Sequence, residues 1–275
     1  MSNRQSSTES LFWNSHQIRQ IDDHWYQVPT VDRMAAFRSR FKPRSDDILL
    51  TTFRKTGTTW LKALCYNILN REAEEDLLAK KNPHKVVPTL ENTFLEERFQ
   101  DMLLSSPPTG RLLHSHLPYS YLPEARGSPG AGSCTWLGIR RTRGVLPFGP
   151  FYEHVVGYWE ESRRRPQEVL FLKYKELYRE PKEQARKLAS FLGKPFSLDG
   201  DEEVEKVLWR SSLDRLKELE VNTSGVGELN HVLNSTFFRR GTVRDWENYL
   251  TPEMAQRIDH LTQSKLQGTG LTVDD

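Results

Sequence analysis

DILLTTFRKTGTTWLKALCYNILN, running from Asp47 to Asn70, is the stretch that decides the fold. Ile48 to Phe53 is a short apolar run with β-branched residues and predicts a buried strand. Arg54 to Thr59 is a polar turn carrying a lysine, a glycine and threonine hydroxyls. From Trp60 onward apolar residues fall at 60, 61, 64, 65, 68 and 69, one face of an amphipathic helix. A strand that ends in such a turn and opens a helix makes an anion site. The unpaired N–H groups of the first helical turn point at the turn, and the helix dipole favours negative charge there. Lys55 adds a full charge, and Thr56, Thr58 and Thr59 add hydroxyl donors. Gly57 lets the backbone approach a phosphate closely. The plainer alternative is a strand–turn–helix whose threonines only cap the helix. Lys55, Gly57 and the hydroxyls taken together favour the anion site. The Walker signature is not met, because Lys55 precedes the glycine, so magnesium-dependent nucleotide hydrolysis is not the first expectation.

Composition narrows the class. A chain of 275 residues can bury a large core, and a single α/β domain over residues 1–275 is the expectation. A net charge of +2 with 28% charged residues leaves no nucleic-acid footprint. No apolar run has membrane-spanning length. The first ten residues, MSNRQSSTES, lack the apolar core of a secretory signal and read as disordered. The two cysteines, Cys65 and Cys134, make no disulfide framework, and Cys65 lies on the apolar helix face. These features favour a reduced, soluble, cytoplasmic protein. No His/Cys/Asp/Glu cluster has ligand spacing, so no metal is expected.

Along the rest of the chain, residues 11–43 are rich in aromatics, and these read as core. Arg71 to Pro88 is polar and loop-like, and Leu90 to Leu104 reads as helical, ended by Ser105-Ser106-Pro107-Pro108. Arg111 to His114 predicts a strand, with His116 at its end and Pro118 closing it. A Gly/Ser/Pro loop follows, then a strand over Cys134 to Ile139 and three arginines, Arg140, Arg141 and Arg143. Tyr152 to Arg165 predicts a helix, Val169 to Tyr174 a buried strand, and Pro181 to Leu192 a helix with Pro at its start and Gly193 at its end. Thr251 to Leu266 reads as a C-terminal helix. Strands alternating with helices predict an αβα sandwich around a mainly parallel sheet, with ligands beyond the carboxyl ends of the strands.

FRKTGTTW resembles the phosphosulfate-binding loop of cytosolic sulfotransferases, usually written YPKSGTTW, and the chain is most similar to the plant soluble members. Arg54 stands where that family usually has proline, and Thr56 where it has serine. HLPYS, His116 to Ser120, is similar to the family's THLPYSLLP, whose histidine is the general base; a near-neutral imidazole suits that role. Many members carry a lysine two residues earlier, where this chain has His114. VLFLKYKELYREP resembles a segment whose tyrosine, Tyr174 here, lies near the nucleotide. SSLDRLKELEVN resembles CSFENLSNLEVN and implies that Ser212 reaches the nucleotide, while Leu213 replaces an aromatic that contacts adenine. FFRRGTVRDW resembles FFRKGEVGDW, a basic loop that returns to the 3′-phosphate, and carries over Arg239, Arg240 and Gly241. Arg141 is set against the arginine of the family's CRNPKDVFVS motif; the serine of that motif and the helix after it have no counterpart, so a family segment is missing near 141–147.

The resemblance implies sulfuryl transfer from 3′-phosphoadenosine 5′-phosphosulfate to a hydroxyl of a small, largely apolar acceptor such as a flavonoid, phenol, steroid or hormone-like molecule. Catalysis would rest on His116 and Lys55. Donor binding would rest on Lys55, Thr56, Gly57, Thr58, Thr59, Trp60, Arg141, Tyr174, Ser212, Arg239, Arg240 and Gly241. Two alternatives stay open: an impaired or inactive member of the family, and an unrelated phosphate-binding kinase or hydrolase. The family's short C-terminal dimer motif is not clear around Glu247 to Gln256, so oligomeric state is open.

Overall fold

A computed structural model describes residues 11–13, 16–21, 23–93, 110–122, 132–137, 148–227 and 232–272. Three short strands come first: β1 (Leu11–Trp13), β2 (His16–Ile21) and β3 (His24–Gln27). They pair antiparallel in that order, a small sheet that the aromatic composition did not announce. Helix α1 (Val28–Arg40) follows directly, with proline at its start, where a missing N–H costs nothing.

The expected central strand forms as β4 (Ile48–Thr52), and α2 (Thr58–Leu69) follows it. With β5 (Leu112–Ser115), β6 (Gly132–Leu137) and β7 (Val169–Lys173), β4 makes a four-stranded sheet in the order β5-β4-β6-β7. Every pairing in it is parallel. Four further helices pack around it: α3 (Phe151–Arg164), α4 (Pro181–Phe191), α5 (Asp201–Ser211) and α6 (Pro252–Leu266).

Alternation along β4 sends neighbouring residues to opposite faces. Leu50 joins a core with Leu61, Leu64 and Ile68 of α2, Leu188 of α4 and Val207 of α5. Leu49 packs on the other face, in a cluster with Tyr26, Met34, Phe37, Leu113 and Phe148. Both faces are therefore covered, as a parallel sheet requires, and the layers are those of an αβα sandwich. Leu61, Leu64 and Ile68 have no exposed surface, and each contributes ~1.5–3 kcal/mol by burial.

Several boundaries differ from the sequence reading. Helix α2 begins at Thr58, two residues before the first apolar position, because Gly57 takes φ 111 and caps it from outside the helical region. Tyr174 begins a short helix, Tyr174–Arg179, instead of ending β7. The stretch read as loop, 71–88, holds two single-turn helices, Leu77–Lys80 and Pro83–Val86. The Asn82 side chain caps the second by accepting from His84 N at 2.8 Å, and one turn is too short to show a 3.6-residue period. The helix expected over 90–104 is described only as Leu90–Thr93, and the remainder lies outside the described residues.

A buried ion pair fixes the start of the sheet. Arg111, before β5, donates from Nε and Nη2 to the two carboxylate oxygens of Asp47, before β4, each at 2.6 Å. Arg111 is 7% exposed and Asp47 is 4% exposed, and Asp47 also accepts from Arg44 N at 2.8 Å. Removing one partner strands the other charge in the interior. Asp47→Ala is expected to lower unfolding free energy by ~3–5 kcal/mol in urea titration, and Asp47→Ala with Arg111→Met should recover most of it. A loss below ~1 kcal/mol in the single variant would show that the pair behaves like a surface one.

Candidate active site

The carboxyl ends of β4, β5 and β7 open on a cleft of about 2010 Å³. The turn between β4 and α2 forms its floor. Gly57 adopts the left-handed conformation that a side chain resists. The first N–H groups of α2 thus face the cleft without a side-chain cap. Lys55 also has a positive φ, 62, and such a backbone persists only where surrounding structure holds it. The Lys55 amine donates to the Thr236 carbonyl at 3.4 Å and lies 5.7 Å from the Phe237 ring centre. Arg54 turns the other way: Nη1 donates to Gln27 Oε1 at 3.4 Å, and the guanidinium lies 5.5 Å from the Phe148 ring centre. Two consecutive cations therefore serve opposite walls of one cleft.

Beneath the turn lies a hydrogen-bonded circuit that sequence reasoning did not find. Lys62 has no exposed surface. Its amine reaches Val87 O at 2.8 Å, Thr89 Oγ1 at 2.9 Å and His84 Nδ1 at 3.2 Å. His84 Nε2 lies 2.9 Å from Thr59 Oγ1. On the other branch Thr89 Oγ1 meets His114 Nδ1 at 3.0 Å, and His114 Nε2 meets Thr52 Oγ1 at 2.9 Å. Thr52 Oγ1 then meets Thr58 Oγ1 at 2.7 Å. Both branches begin at Lys62 and end on hydroxyls in the first turn of α2. An ammonium has only donors, so with Lys62 charged the direction is set: it donates to His84 Nδ1, and His84 Nε2–H donates to Thr59. Burial pushes Lys62 down to about 7, with Glu91 opposing. Burial also holds His84 and His114 well below 6.5, and the Lys62 charge adds to this. Helical spacing carried a usable signal, since 58, 62, 65 and 69 share one stripe and a lysine there belongs in the interior.

His116 is placed just past β5. Its Nδ1 lies 2.8 Å from the Thr52 carbonyl, so Nδ1 carries the proton and donates it there. The Nε2 atom makes no hydrogen bond among the described residues, and the residue lines the cleft. The backbone is held from behind: His116 N donates to Glu91 Oε1 at 2.6 Å, and Ser115 Oγ to Glu91 Oε2 at 3.0 Å. Burial raises the Glu91 carboxyl, and these two donors oppose it. Burial first, then the Arg54 charge, hold the His116 imidazole well below 6.5. The His116 imidazole is therefore held in its neutral form at physiological pH. His114, two residues earlier, faces away into the circuit and supplies no cation to the cleft.

The remaining candidates divide. Thr56 closes the turn, its hydroxyl donating to Phe53 O at 2.7 Å. Trp60 and Tyr174 meet edge to face, 5.4 Å between ring centres, and the Tyr174 hydroxyl donates to Gly241 O at 3.0 Å. Gly241 has φ 65, and a Cβ there would stand 2.1 Å from Leu213 Cδ2, so Leu213 and a bare glycine pack as a unit. Ser212 lines the cleft, but its hydroxyl caps the helix Leu213–Glu218 by accepting from Arg215 N at 3.3 Å. Arg239 and Arg240 both pair with Asp245, at 3.3 and 3.2 Å, and of the two Arg239 lines the cleft. Arg141 lies outside the described residues.

Residues 45–130 and 139–270 match the sulfotransferase domain family. The chain is 36% identical to cytosolic sulfotransferase 5 of Arabidopsis thaliana over 291 aligned positions, 90% of this chain and 88% of that one. Those 291 positions exceed the 275 residues here, so the relative carries residues without a counterpart in this chain. A crystal structure of a putative steroid sulphotransferase from Arabidopsis thaliana superposes with a TM-score of 0.72 at 25% identity, covering 94% of this chain and 89% of the other. Retinol dehydratase in a complex with retinol and PAP superposes at a TM-score of 0.76 and 18% identity, over 94% and 92% of the two chains, a likeness of fold. The chain therefore belongs to the sulfotransferase family and is of the plant cytosolic type.

Proposed function

We propose that this protein transfers a sulfuryl group from 3′-phosphoadenosine 5′-phosphosulfate to the hydroxyl of a small organic acceptor, in the cytoplasm. The observation that carries this is the fixed tautomer of His116, whose Nδ1–H is held by Thr52 O at 2.8 Å. That leaves the Nε2 lone pair as the proton acceptor on the side away from the strand. Further support comes from the uncapped start of α2 and from Lys55, which together fit a phosphosulfate. Relatives named as cytosolic sulfotransferases, and neighbours solved with PAP, support the donor, the small acceptor and the compartment.

When bound, the donor supplies a sulfuryl group on a phosphate leaving group. His116 Nε2 takes the hydroxyl proton as the acceptor oxygen bonds to sulfur. The bond from sulfur to the bridging phosphate oxygen breaks, and Lys55 and the α2 N–H groups hold the charge that collects there. The hydroxyls of Thr58 and Thr59, oriented from behind by Lys62, His84 and His114, donate toward the phosphosulfate, with Thr56 and Gly57 shaping the turn. Trp60 and Tyr174 flank the nucleotide. Ser212 is assigned to the nucleotide and Arg239, Arg240 and Gly241 to its 3′-phosphate, while Arg141, outside the described residues, is assigned there by the resemblance alone. Holding donor and acceptor in one cleft contributes much of the remaining acceleration.

A second assignment, an impaired member of the family, has one observation in its favour. Between the end of β6 at Leu137 and Phe148 lie only residues 138–147, where the family carries its arginine–serine motif and a helix.

Lys55→Ala is expected to cut turnover about a hundredfold or more while weakening donor affinity much less. Equal losses in rate and in donor binding would assign Lys55 to the ground state. His116→Ala should abolish transfer to alcohols yet leave donor binding intact, with acidic phenols hurt least. Because burial and Arg54 lower the His116 pKa, its base form persists on acidification. The acid limb of kcat/KM should fall below pH 6.5, and a limb at or above that value would exclude His116 as the base. Loss of the serine contact weakens the 3′-phosphate site by a factor of about ten to several hundred, which the arginines offset only in part. Calorimetric titration with 3′,5′-bisphosphoadenosine and with adenosine 5′-phosphate should show a weak but measurable preference for the former. Equal affinities would favour the impaired member over the enzyme.

A further inference from the structure

Arg54 is a cation with no carboxylate bound to it among the described residues. Several other part-buried arginines have carboxylates: Arg111 is bound to Asp47, Arg215 to Asp76, and Arg165 to Glu161 and Glu168. Arg54 makes no ion pair among the described residues. Its contacts are the 3.4 Å hydrogen bond to the neutral Gln27 side chain and the Phe148 ring face. The Glu91 charge acts on it, but the Glu91 oxygens already accept from Ser115 and His116. A guanidinium with most of its N–H fork unanswered, half-buried on a cleft wall, leaves donors open to the cleft that an anion can take.

The position of that cation is specific. The Phe148 ring lies 5.5 Å from the Arg54 guanidinium and 5.5 Å from the His116 ring centre. The ring is buried in the core with Tyr26 and Tyr121, at 5.7 and 5.8 Å successive separations, so it supports both groups from beneath the cleft. Arg54 and His116 both line the cleft, so one small molecule can place a hydroxyl at His116 and another group at Arg54. Lys55, by contrast, reaches the opposite wall at Thr236 and Phe237. The two cations thus divide the cleft into a donor side and an acceptor side. Proline, the residue usual at this position in the family, offers the acceptor side no charge.

We propose that the acceptor is a hydroxylated carboxylic acid, whose carboxylate pairs with Arg54 while its hydroxyl meets His116. This rests on sulfuryl transfer as the activity. The carboxylate forms a two-pronged pair with the guanidinium, a geometry that arginine provides and lysine does not. The apolar body of the molecule spans the cleft between the two groups, both of which line it. No bond to the carboxylate is made or broken, and the transfer itself is as described above.

The test compares each of hydroxyphenylacetate, hydroxyphenylpropanoate and hydroxyphenylbutanoate with its methyl ester. Wild-type protein, Arg54→Gln and Arg54→Lys are assayed for kcat/KM, and the same ligands are titrated calorimetrically into protein holding bisphosphoadenosine. The wild type should favour at least one acid over its ester, and Arg54→Gln should lower that acid-to-ester ratio by roughly 10- to 150-fold. Arg54→Lys should restore part of it. Equal treatment of acids and esters by the wild type would overturn the proposal. So would a fall of both by the same factor in Arg54→Gln, since that places Arg54 on the donor. If no acceptor turns over, the titrations decide on the same ratios. Absent turnover with acid-selective binding that Arg54→Gln abolishes would refute sulfuryl transfer while sustaining the anionic acceptor site.

Discussion

Lys62 is the group on which the rest of the site depends. A wholly buried amine at the second turn of α2 holds Val87, Thr89 and His84 at once. Each is a point where chain remote in sequence must meet the helix. Through Thr89 the amine reaches His114 and so β5; through His84 it reaches back to the first turn of its own helix. Leaving any member unpaired in this dry interior costs about 1–3 kcal/mol, so the circuit holds together or fails together. Its effect is to fix Thr58 and Thr59 in orientation before any ligand arrives, and preorganised donors need no rearrangement when charge develops.

The same economy of positioning recurs around His116. Its imidazole is held by a backbone carbonyl of β4, its own N–H by Glu91, and its carbonyl lies 3.1 Å from His154 Nε2. Three elements thus converge on one residue just past a strand end. A base placed this way is neutral because it is buried and has a cation beside it. In the proposed transfer its reactivity comes from a fixed lone pair more than from basicity. The cost falls on the surroundings: Arg54 and Glu91 share one neighbourhood with three histidines, and burial shifts every one of these groups away from its usual value.

The two walls of the cleft are built differently. On the Lys55 side the contacts are carbonyl oxygen, the Phe237 face and the Gly241 turn, with Arg239 at the rim. On the Arg54 side they are an aromatic cluster seated on the small antiparallel sheet, where β3 and residues 148–149 exchange backbone hydrogen bonds of 2.6 and 2.7 Å. The N-terminal sheet therefore acts as the support of one wall of the site.

Sequence alone determined the central unit. Strand, turn and helix over 48–69 were legible because apolar runs and a 3.6-residue period are local signals, and because Gly57 and Lys55 announce an anion site without reference to anything distant. The parallel sheet followed from the alternation of strands and helices, and His116 from the motif around it. What the tertiary structure decided is everything that depends on partners far apart in the chain. The inward turn of Lys62, the role of residues 82–91 as the backing of the site and the antiparallel sheet before α1 have no local signature. The division of labour between Arg54 and Lys55 is the clearest case: the two are adjacent, both basic, and alike on paper. Only the positive φ at Lys55, and the walls that Gln27, Phe148, Thr236 and Phe237 present to them, send the two charges in opposite directions.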